Sequence, residues 1–246
     1  MNTQESIRFR YSVAYTLSFV SLLWLIKILE WSLSFDFGIF GIHPRTISGT
    51  FGIITGPLVH GDFMHLISNS FPLILLGVGI FYFYNKIAIE VFFWIYLVTG
   101  ICVWVIARDA YHIGASGIVY GLVAFMLFSG LFRRDTTSIA IALIVVFLYG
   151  GMFYGIIPSD PGISWESHLM GSFTGLFCAF YFRNSPILYS QKIVFDEDEE
   201  LFIDEFKEAD NFLEVKEIHR WTNTSEKKDI NYIYTYLEKK DQHKKA

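Results

Sequence analysis

The chain has 246 residues, 53% hydrophobic and 17% charged, with a formal net charge of -5 and a mean hydropathy of +0.41. Soluble domains carry about 25% charged residues, so this composition excludes an ordinary soluble fold and predicts an all-α, polytopic membrane protein. The acidity is local: from Asp196 onward the chain holds 15 of its 24 acidic residues against 9 of its 19 basic ones, and without a basic, aromatic-interleaved patch a nucleic-acid partner is excluded.

A hydrocarbon core of about 30 Å takes roughly 20 apolar residues per helix. Six segments reach or approach that length: 11–29, 64–84, 87–107, 116–132, 138–157 and 167–182. The first has too long an apolar run for a signal peptide, and no small-residue cleavage pattern follows it, so a retained anchor is expected. Lys27, near its end, is expected to snorkel outward. Residues 30–63 form a long loop with Trp31, several Phe and a Pro44-Arg45 turn, which suits an amphipathic substructure lying in the interface. Six spans put Arg8, Arg10, Lys86, Arg133, Arg134 and Arg183 on one side and Arg45 and Arg108 on the other. The basic side is cytoplasmic, and with it both termini. Cys102 and Cys178 sit inside apolar runs without CxxC spacing, which indicates neither a disulfide framework nor a zinc cluster. Beyond the spans, residues 185–246 are expected to form an acidic cytoplasmic tail, with "ELFIDEFKEADNFLEVKEI" as an amphipathic helix and "INYIYTYLEKK" as a strand or short helix.

With the N-terminus inside, spans two, four and six run from outside to inside, and three polar residues occupy their first turns: His65, Ser116 and His168. Polar groups inside a membrane are costly and mark functional sites by default. Span 116–132 is about 25 Å long at 1.5 Å per residue, so Ser116 is recessed and the loop 111–115 dips with it toward a water-lined hollow. A serine hydroxyl needs a base to take its proton, and His168 can serve. His65 and Asn69, spaced i and i+4, share a helix face. With the Ser116 backbone N–H, free because it opens a helix, they make a candidate oxyanion hole. Tyr120, one turn along, can stack on His168. Gly117 and Gly121 facing Gly171 and Gly175 let two backbones approach closely. No carboxylate completes a triad: Glu166 is expected in the loop and Asp160 lies farther off, so the constellation is a Ser-His dyad.

Blander roles exist for each residue. Ser116 alone could be helix-packing filler. His65 and His168 could ligate haem as an axial pair, although the glycines close the space such a group needs. Zinc is disfavoured because HExxH is absent, and His60 and His112 are expected to shape loops.

Taken together, "HGDFMHLISN", "GASGIVYGL" and "SHLMGSFTG" resemble the rhomboid family of intramembrane serine proteases, with its H-x-x-x-N, G-x-S-G and H-x-x-G-x-x-x-G pattern. The resemblance implies a six-helix membrane bundle over residues 1–184 in a plasma (inner) membrane. It implies cleavage of transmembrane protein substrates near their outer end, with no metal or organic cofactor. Ser116 would be nucleophile, His168 base, and His65 and Asn69 oxyanion donors, with Gly114 and Gly117 completing the serine motif. The family's first-loop Trp-Arg pair is not evident, Pro44-Arg45 standing near that place, and Ser167 stands where alanine is frequent. The alternative is a rhomboid-like protein that binds membrane helices without cutting them, which has no chemical need of both Ser116 and His168. A transporter would call for a broken span with an ion-site charge, and none is visible.

Overall fold

The computed structural model describes residues 3–158 and 162–187. Among these the regular elements are all helices, joined by turns and irregular loops that include an isolated bridge between Ile42 and His112. Helix α1 spans Thr3–Leu33. No glycine or proline interrupts it, so it runs past both ends of the predicted segment and reaches roughly 46 Å at 1.5 Å per residue.

The long loop that follows is built from caps. Asp36 accepts from the Gly38 N–H to start a 3-10 turn at Phe37–Phe40, and Thr46 accepts from the Gly49 N–H to start α2 at Ile47–Thr55. Helix α2 turns Gly49 and Gly52 inward against the backbones of His43 and Gly41, leaving Ile47, Phe51 and Ile54 exposed. Ile47, Phe51 and Ile54 make the outer face apolar, and the inner face is glycine rather than charge. A short 3-10 turn, Gly56–Leu58, leads to α3 at Phe63–Phe83, whose N-cap Asp62 accepts from His65 N.

Helix α4 covers Ala88–Ile106 and α5 covers Ser116–Arg133. Helix α6 covers Thr136–Tyr149, started by Asp135 as N-cap. The sequence predicts one helix over 138–157; instead, at the Gly150-Gly151 pair α6 tightens into a 3-10 stretch, Gly150–Ile156. Helix α7, Trp165–Tyr181, follows. Among the described residues five helices are long and apolar enough to cross a membrane: α1, α3, α4, α5 and α6 with its 3-10 extension; α7 has 17 residues. The predicted tail elements lie outside the described residues.

Helix α5 is the hub, packing against α7 most extensively and also against α3, α4 and α6. A built Cβ on Gly171 would stand 2.1 Å from the Gly117 carbonyl oxygen, and one on Gly175 2.0 Å from that of Gly121. Only glycine at these positions lets the two backbones touch. At one end, Arg133 donates to the Phe182 carbonyl (2.8 Å) and to that of Ser185, while Tyr84 donates to Ser138 (3.4 Å). These bonds gather the ends of α3, α5 and α7 and the start of α6. At the other end, Arg45 donates to the carbonyls of Val105 and Ala107, and Arg108 pairs with Glu166 at 3.6 Å.

Two expectations are corrected here. Lys27 does not snorkel outward; it is 7% exposed and forms a 2.8 Å ion pair with Glu30, because the folded-back loop brings acceptors to it. Glu166 is not a loop residue; it lies in the first turn of α7, 4% exposed, where Arg108 offsets its charge.

Candidate active site

The dipping loop before α5 satisfies its backbone inside the protein. His112 and Ile42 exchange N–H···O bonds of 2.9 Å, and Gly114 N donates to the Gly56 carbonyl at 3.0 Å. The His112 imidazole is fixed as well, with Nδ1 2.6 Å from Ser164 Oγ and Nε2 3.1 Å from the Arg108 carbonyl. Burial pushes its pKa down, so it is a neutral structural linker, as expected for a loop-packing histidine.

Gly114 has φ +101°, a conformation side chains rarely adopt. A Cβ there would also lie 2.6 Å from His65 Cε1 and 2.7 Å from Nε2. Both facts require glycine, and the second places the His65 ring directly against the serine loop. Asn69 Nδ2 is 3.8 Å from the same point and donates to the His65 carbonyl at 3.1 Å. His65 and Asn69 therefore flank the loop that ends in Ser116.

Ser116 opens α5 and is partly exposed. The first turn's bonds run from Ile118 and Val119 to the Ala115 carbonyl, so the Ser116 amide precedes the intrahelical ladder. Its Oγ lies 2.9 Å from His168 Nε2. His168 Nδ1 lies 2.8 Å from the Gly155 carbonyl. A carbonyl can only accept, so Nδ1 carries the proton and Nε2 presents its lone pair to the serine. Tyr120 stacks on the ring at 4.0 Å and 7°, and its hydroxyl donates to the Met152 carbonyl at 2.8 Å. The imidazole is thus held on one face by Tyr120 and at its far nitrogen by the 3-10 stretch.

The structure brings together Ser116, His168, Tyr120, Gly117, Gly121, Gly171 and Gly175 as one cluster, with His65, Asn69 and Gly114 beside the serine. Sequence reasoning missed the carbonyls of Gly155 and Met152. A backbone acceptor has no residue-type signature; the adjacent glycines at 150 and 151 were the one available hint. His60, expected to have a shaping role, fills one through its Nε2, which accepts from the Ala115 N–H at 3.3 Å. Asp160 lies outside the described residues. Among the described residues no group of three or more His, Cys, Asp or Glu could hold a metal ion.

Apolar helices around a recessed polar cluster define an integral membrane protein. The family profile of the Rhomboid domain matches residues 48–185. The uncharacterized protein Rv1337 of Mycobacterium tuberculosis is 34% identical over 193 residues, covering 72% of this chain and 79% of that protein. The uncharacterized protein ML1171 of Mycobacterium leprae is 30% identical over 191 residues, covering 72% and 74%. The chain belongs to the rhomboid family.

Proposed function

We propose that the protein is an intramembrane serine endopeptidase acting through Ser116 and His168. The observation that carries this is the 2.9 Å approach of His168 Nε2 to Ser116 Oγ, with Nδ1 already committed to a carbonyl. His168 takes the serine proton as Oγ attacks the scissile carbonyl, and the developing oxyanion is met by the Ser116 amide with His65 and Asn69. His168 then protonates the departing amine. Water, activated by the same imidazole, hydrolyses the acyl-enzyme and restores the serine.

In this reading α7 is the sixth span, short by a fraction of a turn because its first residues lie in the recessed site. The end holding Arg133, Arg183 and Lys86 is cytoplasmic. The site then opens near the outer face, so transmembrane segments are cut near their outer end. Residues 1–184 make up the membrane domain and residues 185–246 an acidic cytoplasmic tail. The dyad's committed tautomer favours this reading over a non-catalytic binder of membrane helices, which needs no aligned base. In proteoliposomes with a transmembrane reporter, Ser116→Ala and His168→Ala are each expected to lower cleavage at least 10³-fold while inserting normally. Cleavage retained by either variant refutes the dyad.

A further inference from the structure

A charge buried inside a candidate membrane span is expensive, and Lys27 sits in α1 between Trp24 and Glu30 with its head group wholly engaged. An ammonium has three N–H donors. Lys27 Nζ donates one to Glu30 Oε2 at 2.8 Å and the others to the carbonyls of His60 and Gly61, each at 2.9 Å. The other Glu30 oxygen accepts from Phe37 N at 3.2 Å. Every donor is used, and two of the three hold one short irregular segment.

That segment leads to both halves of the site. Gly61 is followed by Asp62, the N-cap that accepts from His65 N at 2.7 Å and so sets where the His65 ring begins. The His60 ring lies 5.1 Å from that of His65, and its Nε2 accepts from Ala115 N, the amide immediately before Ser116. A buried ion pair is weak evidence for stability in itself; what sets this one apart is that two of the Lys27 bonds end on the His60 and Gly61 carbonyls.

We propose that Lys27, held by Glu30, is a positioning residue for the oxyanion side of the site. It pins the His60-Gly61 backbone, which in turn places His65 and the Ala115-Ser116 peptide. The inference rests on the protease reading for its functional consequence, but its structural half stands apart from catalysis. The test compares the full chain in proteoliposomes with the double variant Lys27→Met/Glu30→Leu, which removes both charges and strands neither. Three quantities are read: kcat and KM on the reporter, the thermal midpoint, and hydrogen–deuterium exchange of the peptide containing Ala115 and Ser116.

The expected result is a midpoint lowered by the loss of the bonds to the His60 and Gly61 carbonyls and to Phe37 N, with the chain still folded, kcat lowered 30-fold or more with KM within threefold, and at least tenfold faster exchange at Ala115. Wild-type kcat with wild-type exchange overturns the proposal. If the double variant does not fold, Lys27→Arg decides. It keeps the charge but replaces three converging donors with a planar fork, so kcat is expected to fall about tenfold, and an unchanged kcat overturns the assignment. If the wild-type protein itself does not cleave, the protease reading fails, and the exchange measurement alone decides whether Lys27 orders the loop.

Discussion

At the residue scale, the site depends on a few positions where chemistry and conformation coincide. Gly114 is needed for its φ and for the space the His65 ring occupies. Gly114→Ala is expected to lower cleavage at least 100-fold and to cost about 1–3 kcal/mol from backbone strain, checked by kcat/KM and thermal unfolding. His60 titrates in a readable window. Burial depresses its pKa from 6.5 to about 4, with His65 and then Lys27 pushing the same way and Asp62 opposing. As pH falls below 6.5 the unfolded chain binds this proton first. The stability from the neutral ring is therefore complete above 6.5 and lost on descending to 4, up to about 3 kcal/mol. The thermal midpoint of wild type minus that of His60→Gln, measured from pH 7 to pH 4, is expected to shrink across that interval; a constant difference refutes the assignment. Ser116, His168 and His65 stood out in the sequence because each is a polar residue in the first turn of an apolar span, and Asn69 because it follows His65 at i+4. Lys27 and Glu166 were misread because sequence gives a residue's depth but not its neighbours, and both find partners contributed by distant loops.

At the element scale, the α5–α7 contact determines whether the dyad can form. A Cβ at Gly175 meets the Gly121 carbonyl at 2.0 Å, whereas one at Gly151 meets nothing within 4 Å. Gly175→Ala must push the helices apart, and a displacement near 1 Å is enough to cost about 100-fold in rate. Reporter cleavage by Gly175→Ala beside the wild-type chain checks this. The glycine spacing made this contact predictable. The change from α6 to 3-10 was not, because an apolar run reads alike in either helix and only the glycine pair marks the break. Helix α2 was anticipated merely as an amphipathic substructure: its caps at Thr46 and its inward glycines are local features that outweigh any apolar periodicity.

For the whole molecule, hydrogen bonds sort the helix ends into two groups. Arg133, Phe182 and Ser185 meet at one end, and Arg45, Arg108 and Glu166 at the other. If the first group is cytoplasmic, a single cysteine placed in the tail of a chain lacking Cys102 and Cys178 should react with an impermeant maleimide only in inside-out vesicles. Labelling in right-side-out vesicles would reverse the proposed orientation. Composition made the membrane class legible from the start, since it follows from summed transfer energies, and the charge distribution supplies the orientation that this labelling tests. How the loops fold back over the bundle was not legible, because that depends on a handful of long-range backbone bonds.

The carbonyl that fixes the far nitrogen of His168 belongs to Gly155 and is a property of chain path rather than of any codon. No single amino-acid exchange can delete it; only a change that redirects residues 150–156 can. An alanine survey would register Gly155 only through the clash of its new Cβ with the Tyr120 hydroxyl, not through the carbonyl itself. Replacing the Gly155–Ile156 amide by an ester, which weakens that acceptor without altering a side chain, is the direct way to expose its contribution.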